Sequence, residues 1–288
     1  MGVLLAADCP PNCTCQQFIV NCRGKNLKAF PKHVSLNTRH LDIASNSITE
    51  INSLELNLLS DLVHLDCSNN KISEISKLDF LGVVKLVYLD LSSNHLQRIA
   101  RTTFEPLDKL IILKLSHNPE LREIEDGAFA TNVGLREINL SNNNLSFLNT
   151  TSLRSLQGLK TIYLAGNPWE CQCTIAVLSG WMFENNSTFP DGANTFCVLP
   201  KSMAGISVSK ALSKLFDICH TPLDYFDYLF FVVVSFAIFI SGIIVASLAG
   251  AIMVCVERQR KFTEDEDKIE MQQYKPKRSI VRNTNIKT

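Results

Sequence analysis

The 288-residue sequence lacks the signatures of the common enzyme classes. It contains no G-x-S-x-G nucleophile elbow, no H-E-x-x-H motif, no phosphate-binding loop and no G-x-G-x-x-G dinucleotide fingerprint. The six histidines are scattered along the chain, and none of them stands beside a motif partner. These absences argue against an enzyme, against a bound cofactor and against a small-molecule substrate.

The sequence also lacks net charge, because 28 basic side chains balance 28 acidic ones. A protein that binds nucleic acid over an extended surface usually carries a strong positive field. The composition therefore does not point to a nucleic-acid partner.

The sequence does contain an eleven-residue motif that is repeated six times. Its copies start 24, 24, 24, 25 and 24 residues apart, a period that is typical of leucine-rich repeats. The pattern predicts an α/β leucine-rich-repeat solenoid over residues 38–167, with Pro119 marking a one-residue bulge in the fourth turn. The copies start at Thr38, Leu62, Leu86, Leu110, Leu135 and Leu159, and each carries an asparagine in the same phase, at Asn46, Asn70, Asn94, Asn118, Asn143 and Asn167.

Each recurring position has a physical role. Alternating apolar residues such as Leu65, Cys67 and Ile72 are expected to form one buried column through the stacked repeats. The recurring asparagine has both a donor and an acceptor, so we expect it to satisfy buried backbone groups in the turns. The phenylalanines of the second half-repeats are expected to close the convex side, at Phe80, Phe104 and Phe129, with Leu56 and Leu153 in the same position of the first and fifth repeats.

Two positions of each strand face outward on the concave side. Neighbouring strands lie about 4.8 Å apart, so the aspartates of the first three repeats are expected to stack as an acidic ladder beside two histidines. Such a ladder suits a basic partner or a cation. The alternative is that the aspartates have no binding role, because L-D-L-S is a common sequence motif in this type of repeat. The candidates are His40, Asp42, His64, Asp66, Tyr88 and Asp90.

Cysteines cluster on both sides of the repeats. Four lie in residues 9–37 and four in residues 168–219, which predicts disulfide-stapled caps in an oxidising compartment, with three connectivities open in each group. Zinc is the alternative for C-x-C pairs, but a membrane span and glycosylation sequons favour the secretory route and hence disulfides. The asparagines of those sequons are Asn12, Asn144, Asn149, Asn185 and Asn186.

Residues 229–256 contain no charged side chain, and about 20 apolar residues suffice for a membrane-spanning helix. The basic residues Arg258, Arg260 and Lys261 follow directly, so the positive-inside rule places the repeats outside and the C-terminus in the cytosol. We therefore expect a single-pass type I protein of the plasma membrane. Residues 1–8 are expected to be a signal-peptide remnant or an N-terminal extension, residues 220–228 a linker, and residues 257–288 a short, disordered cytoplasmic tail.

Within this span Gly242, Ala246 and Gly250 recur four residues apart. Small residues at that spacing let another helix approach closely. The alternative is the ordinary composition of a membrane helix.

The chain resembles the auxiliary γ subunits of the large-conductance calcium- and voltage-activated potassium channel. The resemblance rests on the order of caps, six repeats, span and short tail, and on five segments: L-N-T-R at 36–39, L-L-S-D-L-V at 58–63, L-D-C at 65–67, K-L-V-Y-L-D-L-S-S-N at 85–94 and G-N-P-W at 166–169.

The resemblance implies both a pairing of the cysteines and a function. The implied disulfides are Cys9–Cys15, Cys13–Cys22, Cys171–Cys197 and Cys173–Cys219. The implied partner is the pore-forming α subunit of a Slo-type channel, whose activation would shift toward easier opening through residues 229–256 and through Arg258, Arg260 and Lys261. The competing hypothesis is an adhesion or ligand-binding receptor that uses the concave face.

Overall fold

The computed structural model describes residues 9–219 and 225–273. These belong to two compact units, a repeat domain with its caps and a separate helical segment. The expectations for residues 1–8, for residues 220–224 and for the tail beyond residue 273 lie outside the described residues.

The repeat domain is built on an eight-stranded sheet in the order β1-β2-β3-β4-β5-β7-β9-β10. Only β1 and β2 pair antiparallel, and the later neighbours are parallel. The six repeat strands, from β3 to β10 in this order, are in register, so each repeat stacks directly on the one before. The strands are β1 Thr14–Gln16, β2 Ile19–Asn21, β3 His40–Asp42, β4 His64–Asp66, β5 Tyr88–Asp90, β6 Arg98–Ile99, β7 Ile112–Lys114, β8 Glu123–Ile124, β9 Glu137–Asn139, β10 Thr161–Tyr163, β11 Trp169–Glu170 and β12 Cys197–Leu199.

The core is the apolar column that the repeat predicts. The middle residue of every repeat strand is fully buried, and Cys67 is a buried core residue. At roughly 1.5–3 kcal/mol for each large side chain removed from water, the column provides a continuous core that no single repeat has alone. The middle residues are Leu41, Leu65, Leu89, Leu113, Ile138 and Ile162.

The recurring asparagines satisfy buried backbone, as predicted. Asn94 Oδ1 accepts from the backbone N–H of Ile72 at 3.0 Å, and its Nδ2 donates to the carbonyls of Cys67 and Leu91. We call the six recurring asparagines the asparagine ladder. Each ladder asparagine binds its own turn to the turn that precedes it.

The one-residue insertion at Pro119 changes this pattern in the fourth turn. In other repeats the ladder asparagine accepts from the residue two places after its predecessor, as Asn167 does from Leu145. In the fourth turn Asn143 Oδ1 accepts instead from the N–H of Asn118 itself, at 2.8 Å. The insertion is thus absorbed in the turn, and the strands on either side keep their register.

The convex side consists of short helical turns. The buried ring of Phe104 lies 6.1 Å from the rings of both Phe80 and Phe129. The α-helices of the repeat domain are α1 Ser53–Leu56, α2 Thr151–Arg154, α3 Ala176–Glu184 and α4 Leu212–Cys219, and 3-10 turns occupy Lys77–Phe80, Cys173–Ile175, Asn186–Thr188, Gly192–Asn194 and Val208–Lys210.

The caps close both ends of the core. At the N-terminal end β2 pairs with β3 and buries Val20 beside the first repeat. At the C-terminal end α3 and α4 bury residues such as Leu178 and Leu215. The four disulfides are Cys9–Cys15, Cys13–Cys22, Cys171–Cys197 and Cys173–Cys219, the pairs that the resemblance implies.

The second unit is one helix, α5, Tyr225–Gln273. Its apolar part qualifies as a candidate membrane span. At 1.5 Å per residue its 49 residues extend about 73 Å, more than twice the hydrocarbon thickness of a bilayer.

Two expectations are therefore wrong: residues 225–228 are helical instead of part of a linker, and residues 257–273 are helical instead of disordered. Residues 257–273 contain no glycine or proline, and they carry opposite charges four residues apart, such as Glu257 with Lys261, which favours helix.

Candidate functional site

The concave sheet carries a column of stacked rings. The register pairs His40 with His64 and His64 with Tyr88. The ring centroids lie 5.2 Å apart in the first pair and 4.0 Å apart in the second, where the planes differ by only 5°. Strand spacing alone produces this stack, because equivalent side chains of neighbouring parallel strands project side by side.

The three aspartates of the predicted ladder lie in register beside the rings. Each of them uses one carboxylate oxygen to hold its own turn: Oδ1 of Asp42, Asp66 and Asp90 accepts the N–H two residues further on, at 2.9 Å each. Asn139 makes the same contact with Ser141 in the fifth repeat. This position therefore has a structural role that does not need a negative charge.

The other carboxylate oxygens are engaged as well. Arg23, from the N-terminal cap, lies 3.3 Å from Asp42 and 3.1 Å from Asp66. The hydroxyl of Tyr88 donates to Asp90 at 3.0 Å. The hydrogen bond to Asp42, with smaller contributions from both charges, raises the pKa of Arg23 further. Every carboxylate of the ladder thus has a partner within the domain, although the single cation Arg23 offsets only part of the negative charge. The part of the chain that the structure describes holds no cluster suited to a metal ion.

Burial shifts the pKa of two of the rings next to the ladder, His64 and Tyr88. Burial lowers the pKa of His64, and His40 lowers it further, while the three aspartates partly oppose both effects. Burial, with the Asp90 carboxylate, raises the pKa of Tyr88 strongly. Lys114 stands 5.3 Å from the Tyr88 ring centroid. The concave face therefore offers a flat aromatic strip edged by Lys114, beside carboxylates that are already bonded within the domain.

Arg23 cannot be identified as a partner of the ladder from the sequence. It follows the last cysteine of the cap, and nothing in its neighbours marks it as a partner of aspartates 19 and 43 residues away. Only the pairing of β2 with β3 brings it to the ladder.

The sequon asparagines lie off the concave strands. Asn12, Asn144, Asn185 and Asn186 are exposed, whereas Asn149 is half-buried and accepts the N–H of Thr151 through its side chain. Glycosylation at these positions remains a prediction.

The candidate residues of α5 are all exposed in the single chain. A Cβ built at Gly242 or Gly250 meets no atom within 4 Å. With about 100° between successive residues, the stripe of Gly242, Ala246 and Gly250 defines one face of the helix. Arg260 and Lys261 lie about 40° and about 60° from the centre of that face, and Arg258 lies about 120° away.

The fold and this arrangement define the chain as a leucine-rich-repeat protein with one membrane-spanning helix. The leucine-rich-repeat family model matches residues 36–96, 85–130 and 109–168, and the leucine-rich-repeat N-terminal domain matches residues 8–35. Among solved structures, the crystal structure of human 5T4 is 22% identical with a TM-score of 0.48, over 70% of this chain and 97% of that one.

Similar curated proteins show which family of leucine-rich-repeat proteins the chain belongs to. Mouse leucine-rich repeat-containing protein 52 is 39% identical over 93% of this chain and 85% of its own length, and the human protein is 38% identical over 94% and 86%. Rat leucine-rich repeat-containing protein 55 is 40% identical over 91% and 88%. The chain belongs to the family of leucine-rich repeat-containing protein 52, which confirms the γ-subunit resemblance stated from the sequence.

Proposed function

We propose that the chain is an auxiliary γ subunit of a Slo-type large-conductance potassium channel, and that it shifts voltage-dependent activation toward easier opening. It acts by binding instead of by catalysis. The observation that supports this most strongly is the match to leucine-rich repeat-containing protein 52 over 93% of the chain, membrane helix included. The repeat domain lies outside the plasma membrane, and the end of α5 lies in the cytosol.

The effector in this proposal is the membrane helix with the basic cluster Arg258, Arg260 and Lys261. Because α5 is one continuous helix, these side chains are held at the inner membrane boundary instead of on a mobile tail. Positive charge at that boundary repels the arginines of a voltage sensor and favours their outward, activated position. Moving one charge through 100 mV is worth about 2.3 kcal/mol, so a few partly screened charges suffice for a shift of tens of millivolts.

Helical geometry ranks the three basic residues. The small-residue stripe is the surface that a channel helix can approach most closely. Arg260 and Lys261 lie nearer to this face than Arg258 does. Glu257 and Glu264 also lie within about 20° of its centre and oppose the two cations. We therefore infer that Arg260 and Lys261 contribute more to the shift than Arg258.

The test is to record channel currents with the native chain and with a variant carrying Arg258→Gln, Arg260→Gln and Lys261→Gln together. We expect the variant to lose most of the voltage shift while it still co-purifies with the channel. The matched control removes three basic charges further along the chain, at Lys275, Lys277 and Arg278, and should retain most of the shift. An unchanged shift in the first variant removes the electrostatic account.

The second candidate function is an adhesion or ligand-binding receptor. The exposed ring of His40 and the half-buried rings of His64 and Tyr88 favour it, because a flat aromatic strip suits binding to another surface. A chimera separates the two functions. Residues 220–288 are grafted onto an unrelated extracellular domain, and channel modulation that survives assigns the effect to the helix and tail.

A further inference from the structure

The C-terminal cap carries an exposed aromatic groove between α3 and α4. Phe183 on α3 is 68% exposed and Phe216 on α4 is 56% exposed. Together with Leu212, Ser213, Ser209 and Lys210 they line a groove of about 290 Å³, which we name the cap groove. Two large aromatic side chains exposed at the same place are unusual, because exposed apolar residues on an ordinary soluble protein are mostly scattered singly.

The cap groove is held in shape by the packing beneath it. Leu215, one residue before Phe216, is buried in the cap core, so α4 presents an apolar side inward and another at the groove. α3 and α4 lie close together at Gly180, where a Cβ would be in ordinary van der Waals contact with Leu212, at 3.9 Å. The disulfide between Cys173 and Cys219 fastens the last residue of α4 to the start of the cap.

Chain length restricts how far the cap groove can lie from a bilayer. Cys219 ends α4 and Tyr225 begins the membrane helix. Six Cα steps separate them, and at about 3.3–3.6 Å per residue they reach at most about 22 Å. Phe216 lies only three residues before Cys219, about 4.5 Å along the helix axis. The connection therefore allows the cap groove to reach the surface of a bilayer, because the stretch of chain from Phe216 to Tyr225 spans at most about 27 Å.

We propose that the cap groove rests on the lipid headgroups and outermost acyl carbons of the leaflet that faces the repeat domain. Aromatic side chains flanked by lysines are the composition of surfaces that enter this layer. Lys210 is exposed, lines the groove and suits lipid phosphates. This inference is independent of any channel partner.

The test uses the full chain in phosphatidylcholine nanodiscs, with and without lipid that carries a nitroxide on its headgroup. A Phe216→Trp variant is compared with a Leu54→Trp variant, whose site on α1 is 83% exposed and belongs to the first repeat. Fluorescence of the native chain, with Trp169 and Trp181, is subtracted from both. We expect the nitroxide to quench the added signal of Phe216→Trp at least about twofold more than that of Leu54→Trp, since only the first touches lipid.

The remaining outcomes are equally decisive. Equal quenching of the two variants, or quenching of neither, overturns the proposal. Discs that hold one chain are also compared with discs that hold two. If the tryptophan of Phe216→Trp becomes shielded from solvent only when two chains share a disc, a second copy covers the groove and the proposal is overturned. To guard against a variant that is misfolded, Phe183→Trp is measured in parallel. Quenching at this second groove position supports the proposal, whereas a signal equal to that of Leu54→Trp counts against it.

Discussion

The carboxylate of Asp191 accepts the backbone hydrogen bonds beside Leu164 that the strand of a following repeat would otherwise accept. In the first five repeats the N–H after the strand donates to the backbone carbonyl of the next repeat, as Leu140 N does to Tyr163 O. No repeat follows the sixth. Oδ2 of Asp191 therefore accepts from Leu164 N at 2.8 Å and from Ala165 N at 2.7 Å. The C-terminal cap thus ends the sheet with one side chain.

Replacing Asp191 with alanine should destabilise the sixth repeat. Two backbone N–H groups lose their acceptor, and each unsatisfied buried group costs about 1–3 kcal/mol. Trp169 reports on this place, because its indole N–H donates to the carbonyl of Leu164 at 3.1 Å. We expect its fluorescence to change at lower denaturant concentration in Asp191→Ala. Asp191→Asn, which keeps an acceptor oxygen, is the control and should unfold near the native midpoint.

The same side chain should make stability depend on pH. Burial raises the pKa of Asp191 above its ordinary value of 3.8, and the bonds from Ala165 and Leu164 only partly oppose it. Because the pKa of Asp191 is higher in the folded chain than in the unfolded chain, protonation of this carboxyl favours folding. The resulting stabilisation is complete below the pKa of the unfolded chain, and it is lost as the pH rises through the pKa of the folded chain. Asp191→Asn should lose this component, which is measured as a smaller difference in unfolding midpoint between acidic and neutral pH. A difference as large as in the native chain would contradict the assignment.

Removing one rung of the asparagine ladder should cost more than replacing an exposed asparagine in a neighbouring turn. Asn94→Ala leaves Ile72 N without its acceptor and takes a donor from two carbonyls, so we expect a loss of about 2–4 kcal/mol in the free energy of unfolding. Asn69→Ser is the matched control, since serine already occupies the equivalent positions 45 and 93. Denaturant titration of both variants measures the difference, and equal losses would mean that the ladder bonds contribute little.

Neutralising the aspartate ladder should leave partner binding unchanged. Asp66→Asn with Asp90→Asn keeps the turn contacts, because Asn139 makes the same bond in the native chain. Arg23 would still pair with Asp42. Co-purification of this variant with a channel α subunit should equal that of the native chain. Reduced binding would show that the ladder carries a recognition role beyond its turns.

The repeat could be predicted to the residue, whereas the contacts between caps and repeats could not. A 24-residue period determines which leucine is buried and which asparagine faces the turn, since each copy repeats one local environment. Arg23 and Asp191 occur once, outside the period, and reach the repeats through the fold of each cap. The concave aspartates were predicted to lie in register, and they do. Their cationic partner Arg23 lies in the N-terminal cap and therefore cannot be predicted from the repeat.

The end of the membrane helix was misjudged for a different reason. The loss of hydrophobicity at Glu257 predicts the end of the apolar span, and the helix was predicted to end at the same position. Helix formation depends on backbone propensity and on pairs four residues apart, and these continue through Gln273.

The small-residue stripe should be a binding face and its opposite side should not. Ala246→Leu and Ala237→Leu add the same side chain to α5 at positions about 180° apart around the helix. Both alanines are exposed in the single chain, so neither change should disturb its folding. We expect Ala246→Leu to reduce co-purification with the channel α subunit and Ala237→Leu to leave it unchanged. Equal effects would remove the stripe from the interface.

Opposite charges on one helix face separate an electrostatic effect from a contact effect. Arg260 and Glu264 lie one turn apart near the stripe, about 40° from each other around the axis. If positive charge near the sensor favours activation, Arg260→Gln should reduce the voltage shift and Glu264→Gln should enlarge it. If the two side chains act only by touching the channel, both substitutions should reduce the shift. Conductance–voltage curves at low and high ionic strength distinguish these cases, because only an electrostatic effect of exposed charges is screened by salt.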